Sequence, residues 1–479
     1  MTGILGILIA LGFLIYLSYC GLSALLLAPL MALVAVVFGG APLLASYTQV
    51  FMPAMGNFIV QYFPLFLLGA LFGKLMDDTG SARALAEWIV AKLGEANTIP
   101  AIVLACAVLT YGGVSLFVVA FAVYPIAAAM FERAELPNAL IPASIALGAF
   151  TFTMTALPGT PAIQNAIPMP YFGTTAFAAP GIGIIAGLIM LGLGLRWIMG
   201  RASTWTHESS PTLATGLADP QKEPLELASS ECNDDSSLTV QQPMDLPPAW
   251  LAALPIALVI VLNFTFAVLV LPQFNTSYLV EPRYGATTFG AVRGVWAILM
   301  ALAIAIVVLV VLNRRRLPSL KGTLDDGANV AMGPAFNTAS LVGFGAVIAS
   351  LPAFGLIRDA VLGLAPGNPL ISLAVAVNIL AGITGSASGG MSIALQSLGA
   401  TYLELGRDAG IHPDLLHRVT SIATGGLDSL PHNGAVITLL SVCKMTHREA
   451  YKDIFVVACA IPVVALIVVV LLASITGSF

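Results

Sequence analysis

Gly425, Gly426, Leu427, Asp428, Ser429, Leu430, Pro431, His432, Asn433, Gly434 lies between two apolar runs, yet it holds a carboxylate, an imidazole, an amide and a hydroxyl. Three glycines and a proline in the same ten positions cannot continue a helix. Backbone freed inside an apolar layer is tolerated only where protein or a water-filled cavity satisfies it. The stretch therefore predicts a broken membrane helix, the usual sequence pointer to a transporter's binding site.

The rest of the chain supplies the apolar setting. It has 479 residues, 58% of them hydrophobic and 9% charged, with a mean hydropathy of +0.95, the composition of a polytopic membrane protein. No charged residue or histidine precedes Lys74, so the first segment lacks the basic start of a cleaved signal peptide and is expected to be a retained span. A net charge of -5 gives no basic surface for nucleic acid. Cys20, Cys106, Cys232, Cys443 and Cys459 are scattered, which fits neither a disulfide framework nor a metal site. No cofactor is implied.

Working outward from the break, a second interruption of the same kind falls at Thr155 to Pro161, with Gln164 and Asn165 just beyond it. Two apolar stretches, 98–131 and 368–403, are interrupted at Tyr111 to Ser115 and at Thr384 to Gly390, the pattern of re-entrant hairpins. Amphipathic segments are expected at 81–93 and around Arg358 and Asp359. Residues 3–39 are about twice as long as one span requires and divide at Ser18 to Gly21 into two short helices. Further spans are expected at 58–76, 174–198, 249–272, 290–312, 335–350 and 453–476. Residues 202–246 are hydrophilic and acidic, with Lys222 against them, and form a linker. The domain expectation is a first transmembrane repeat over 1–200, a cytoplasmic linker over 201–247, and a second repeat over 248–479.

Short matches connect the halves. Gly112, Gly113 and Ser115 recur as Gly389, Gly390 and Ser392 at an offset of 277, as do Ser144 to Ala146 at Ser421 to Ala423; Leu157 and Pro158 recur as Leu430 and Pro431 at 273. The fold class that follows is an all-α polytopic membrane protein of two repeats, each with five transmembrane helices, one of them broken, plus a hairpin. Arg314, Arg315, Arg316 and Lys321 place that end in the cytoplasm. Five crossings per half then put the N-terminus outside, the linker inside and the C-terminus outside, which makes the two repeats inverted in topology. Arg283, Arg293, Arg358, Arg407 and Arg418 fall outside on this count.

Two hairpin tips and two breaks in symmetric places are expected to build one site. Helix N-termini hold a carboxylate without a buried cation, and no Arg or Lys is expected near either break. Gly112, Gly113, Gly389 and Gly390 permit close backbone approach, Ser115, Ser386 and Ser388 supply hydroxyls, and Thr160, Gln164, Asn165 and Asn433 read substrate oxygens. Asp428 and His432, four apart, share a face if the segment is helical, and either can couple a proton to transport. The plainer alternatives are that Asp428 caps a half-helix and that His432 is a structural hydrogen-bonding group. His412 and His417 are expected in a surface loop, and His447 with Lys444 and Arg448 at the inner surface. Gly69 and Gly73 are read as helix packing.

The run from His417 through Ser421 to Gly434, together with Thr384 to Gly390 and Tyr111 to Ser115, resembles the gluconate permease (GntP) family of the ion-transporter superfamily, over nearly the whole chain except the linker. The form Leu427 to Asn433 is more similar to its short hydroxy-acid branch, associated with 3-hydroxybutyrate. The resemblance implies proton symport of a small organic anion into a bacterium across its inner membrane. It also implies a homodimer with scaffold and transport regions and an elevator-type movement. Sodium-coupled carboxylate uptake is the alternative carrier reading. A membrane enzyme using Asp428 and His432 as an acid and base is less favoured, because no H-E-x-x-H motif or supported nucleophile elbow is present.

Overall fold

The computed structural model describes residues 2–20, 22–94, 97–208, 246–365 and 367–476. Every regular element among them is helical, and eight helices are long and apolar enough to cross a membrane. The chain is an all-helical polytopic membrane protein. Most of the acidic linker lies outside the described residues.

The order of elements recurs. Two short helices, Thr2–Tyr19 and Ala24–Gly39, lead to the long Met52–Asp78, the amphipathic Ser81–Leu93, a hairpin of Thr98–Tyr111 and Leu116–Arg133, a broken stretch that starts at Ile141–Ala149 and ends at Pro168–Phe172, and the closing Pro180–Glu208. After the linker, Ala249–Phe264 and Phe289–Asn313 lead to the long Leu320–Ser350, the amphipathic Phe354–Leu362, a hairpin of Pro369–Thr384 and Ala387–Asp408, the broken pair Pro413–Thr424 and Gly434–Val442, and a closing stretch from His447–Phe455 to Ile461–Thr476.

Both long helices exceed their expected lengths. Met52–Asp78 is extended backwards by a π-helical turn, Ser46–Phe51. Leu320–Ser350 starts fifteen residues before the expected 335. Its polar first turns are unsuited to a lipid-facing span but are satisfied by protein: Ser319 accepts from the Gly322 amide at 3.1 Å, Thr323 donates to Asp78 at 2.6 Å, and Lys74 lies 2.8 Å from Asp78 and 3.9 Å from Asp326. The two long helices pack along one another, with Gly327 against Leu71 and Lys74 and Gly343 against Phe51. Small residues let helices approach where lipid offers no competing hydrophobic drive.

The broken helices are shared between the halves. Ile141–Ala149 packs on the first arm of its own hairpin, where Gly148 meets Val103 and Cys106. Pro168–Phe172, at the far side of that break, packs instead on Ala387–Asp408 of the other hairpin. Likewise Pro413–Thr424 packs on Pro369–Thr384, and Gly434–Val442 on Leu116–Arg133. The closing helices meet each other, tied where Trp197 and Arg201 donate to the buried Asp453 at 2.9 and 3.1 Å.

The repeat register read from the glycines needs correction. Gly112 and Gly113 form the first hairpin's turn, Gly113 at φ +95°, and Ser115 holds the cap position of the next arm. In the second hairpin the turn is made by Gly385, at φ +58°, and the cap by Ser386. The equivalent of Ser115 is therefore Ser386, while Gly389 and Gly390 lie inside the second arm. Their lack of a side chain serves packing: a Cβ on Gly390 would stand 2.2 Å from the Ala381 nitrogen, and one on Gly389 would stand 2.5 Å from Leu341.

Gly390→Ala is expected to force the hairpin arms apart and cost about 1–3 kcal/mol, read as a lower thermal midpoint in detergent. Gly12→Ala, with nothing within 4 Å of the new methyl, is expected to leave the midpoint unchanged or slightly raised. Equal midpoints for the two variants would show that the arm contact is not tight.

Candidate functional site

At the first break the freed carbonyls are met by Asn165 within the break and by side chains from three other places. Tyr111, at the hairpin tip, donates to Pro158 at 2.6 Å, Asn263 to Gly159 at 3.1 Å and Ser421 to Thr155 at 2.8 Å. Asn165 donates to both Thr160 and Ala176 at 3.0 Å. Arg418 is 0% exposed and ties the loop 173–179 to the break: Nε donates to Ala178 at 3.0 Å, Nη2 to Ala176 at 3.1 Å and to Ala178 at 2.8 Å, and Nη1 to Asn165 Oδ1 at 3.2 Å. His417 sits beside it, with Nε2 3.1 Å from Asn165 Oδ1 and Nδ1 against the Thr174 hydroxyl.

This overturns two expectations. His417 is fully buried rather than in a surface loop, and Arg418 lies against a break rather than at the outer face. Both face inward because Pro413–Thr424 packs on four sides, against Pro369–Thr384, Ala387–Asp408, Ile461–Thr476 and Pro168–Phe172. A helix so enclosed has no solvent face on which to put a cation. His412, at its cap, is exposed as expected.

The second break is built differently. Asn433 caps Gly434–Val442 by accepting from Ala435 at 2.6 Å and Val436 at 3.0 Å, and it donates to Asp428 O at 2.8 Å and to Gly385 O at 3.0 Å. One amide thus joins the break to the second hairpin tip, and brings together the N-termini of Gly434–Val442 and Ala387–Asp408. At that tip Ser386 caps its arm, accepting from Gly389 at 3.1 Å, and stands 3.4 Å from the Ser388 hydroxyl, itself 3.2 Å from Thr338 on the long helix. Asn378 donates to Ala423 O at 3.1 Å and fills the space over Gly426, where a Cβ would stand 1.9 Å from its amide nitrogen.

Asp428 and His432 do not share a helix face, because residues 425–432 are turns. The Asp428 carboxylate is 8% exposed and takes the Ser429 hydroxyl at 3.1 Å. His432 is 7% exposed, its ring lies over Gly385, and Nε2 is buried with no hydrogen-bond partner. Gln164 Oε1 at the first break is likewise buried and unpartnered.

A protein of Bacillus subtilis (strain 168), the uncharacterized transporter YxjC, is 40% identical over 490 residues, spanning 98% of each chain. The chain belongs to this transporter family. No family model matches it. Among solved structures, the Alcanivorax borkumensis YdaH transporter, reported to have an unusual topology, superposes with a TM-score of 0.52 at 17% identity, over 87% of this chain and 86% of that one. That likeness concerns the fold.

In this transporter the residues read from sequence divide into two groups. Thr160, Asn165 and Asn433 have hydrogen bonds to the protein's own backbone or side chains, and Gly112, Gly113, Gly389 and Gly390 have close neighbours, Gly112 against Ile256 and Gly113 against Pro161. Gln164, Ser386, Ser388, Asp428 and His432 keep donor or acceptor capacity. Sequence reading missed Arg418, Asn263, Asn378 and Tyr451, whose hydroxyl donates to Ser429 O at 3.2 Å. Asn263 and Asn378 carried a signal, as lone amides inside apolar runs.

Arg418→Lys keeps a charge but cannot fork to Ala176, Ala178 and Asn165 together. It is expected to lose about 1–3 kcal/mol in detergent unfolding, and Arg418→Met more, whereas Arg407→Gln at an exposed position is expected to be neutral. A midpoint for Arg418→Lys equal to the parent's would remove the clamp.

Proposed function

We propose that the chain imports a small organic monocarboxylate, 3-hydroxybutyrate, gluconate or a similar hydroxy acid, by proton symport, and that the second break with the second hairpin tip is its binding site. The observation that carries this reading is the pairing there of a buried carboxylate on Asp428 with an unpartnered Nε2 on His432, beside two adjoining helix N-termini. Helix N-termini favour an anion through free N–H groups and their partial positive charge. Ser386, Ser388 and Gln164 then offer hydrogen bonds to substrate hydroxyl and carboxylate oxygens. Asp428 carries the proton, so that substrate and proton enter together with no net charge.

The membership of the gluconate permease family, the inverted topology of the repeats, the inner-membrane location with the N-terminus outside, and the homodimer belong to the same proposal. Recurrence of element order across the linker supports the repeat. The long-helix pair supports a static scaffold against which hairpins and broken helices move. A sodium-coupled carrier is the second reading, favoured by the Ser388 hydroxyl within hydrogen-bonding distance of both Thr338 and Ser386, a set of oxygens suited to a small cation.

Radiolabelled 3-hydroxybutyrate in proteoliposomes under an inward proton gradient separates these. Accumulation that needs no sodium, collapses with a protonophore and is competed by short hydroxy acids is the expected result. Asp428→Asn is expected to abolish gradient-driven accumulation while counterflow persists, and His432→Ala to raise KM. Sodium-dependent uptake indifferent to the protonophore would move coupling to the hydroxyl set, and no uptake of 3-hydroxybutyrate, gluconate or lactate would remove the substrate assignment.

A further inference from the structure

The helix His447–Phe455 sets two titratable side chains against the second break. His447 Nε2 lies 3.0 Å from Pro431 O, Tyr451 Oη donates to Ser429 O at 3.2 Å, and the Ser429 hydroxyl donates to Asp428 Oδ1 at 3.1 Å. His447 and Tyr451 are one turn apart, with ring centroids 5.9 Å from each other. Exposure falls along this line: His447 and Tyr451 are half-buried, Ser429 and Asp428 buried. Four groups thus lead from the helix's accessible end to the enclosed carboxylate.

Other ionisable groups do not interrupt the line. The elements packed on this helix from the first half, Asn138–Leu140 and Ile141–Ala149, carry none. The π-helical turn Val456–Ala460 adds the buried Cys459, within electrostatic reach of Asp428 and Tyr451. On the helix itself Glu449 is taken up by the Thr446 cap and Asp453 by Trp197 and Arg201, leaving Lys444, Arg448 and Lys452 as neighbours in sequence.

We propose that His447 and Tyr451 form the proton path between the accessible end of the break and Asp428. The inference rests on the reading of Asp428 as the proton carrier. When this face is acidified, the His447 imidazolium gives its proton to Tyr451 Oη as Tyr451 passes its own to Ser429 Oγ, and Ser429 passes its proton to Asp428. In import the same groups run in reverse and release the proton of Asp428 through His447 at the inner face. In the loading direction imidazolium and carboxylate become neutral imidazole and carboxylic acid, and nothing else is consumed. The movements required are a turn of the His447 ring from Pro431 O toward Tyr451 Oη and a turn of the Tyr451 hydroxyl from the carbonyl of Ser429 to the hydroxyl of the same residue.

A merely structural role would leave His447 supporting Pro431 O and Tyr451 supporting Ser429 O. His447→Gln separates the two, since its amide still donates but does not relay. The test uses the full chain in liposomes and follows the carboxylic C=O infrared band after a rapid step from alkaline to acidic medium, the band being assigned by its loss in Asp428→Asn. His447→Gln and Tyr451→Phe are expected to slow its appearance roughly tenfold or more, the scale of losing one positioned proton-transfer group, with the final amplitude and the thermal midpoint retained. Added imidazole is expected to restore the rate in His447→Ala. Parental rates in both variants, or slowing that imidazole does not relieve, would overturn the path. Absence of any band that depends on Asp428 would overturn the carrier reading and the path with it.

Discussion

A carbonyl oxygen released from a helix inside an apolar layer has to be given a donor, and this molecule meets that demand with side chains. One guanidinium does the largest share. Arg418 reaches two carbonyls and one amide oxygen, and Ala176 O alone receives from Arg418, Asn165 and the Gly159 amide. A buried charge is expensive wherever it lies, and the arginine is tolerated because a planar fork of donors matches a cluster of acceptors that no neutral side chain could satisfy at once.

The consequence is an asymmetry between two elements that the repeat makes look equivalent. The first break is held by Tyr111, Asn165, Asn263, Arg418 and Ser421, with Gln164 Oε1 and Asn263 Oδ1 buried and unpartnered beside them. The second has its main chain held by Asn433, Tyr451, His447 and Asn378 but leaves Asp428 and His432 open. The recurring order of elements gives two similar frames. Side chains put a guanidinium clamp at one and a buried carboxylate with an imidazole at the other.

Much of this was legible from residue order. Glycines and prolines at depth locate both hairpins and both breaks, and the amphipathic 81–93 segment coincides with its helix, because local conformational limits act within a few residues. What the sequence hid depends on distant partners. The polar start of Leu320–Ser350 looks like loop until Lys74 and Asp78 are placed beside it. Arg418 looks like a loop cation until four helices surround it. The offset of 277 matched glycine to glycine and so paired a turn with the inside of a helix, since identical residues there answer different needs, a positive φ at Gly113 and a close crossing at Gly390.

Because each broken helix begins against one hairpin and ends against the other, neither half of the chain contains a finished interior. During synthesis the first hairpin waits for Gly434–Val442, made some three hundred residues later than its second arm, Leu116–Arg133. Until then part of its apolar surface, and the carbonyls of Thr155 and Ala178 whose donors Ser421 and Arg418 have not yet been translated, lack those partners. The N-terminal half is thus a client for whatever shelters unfinished membrane proteins, and the two halves reach their final form in one late step.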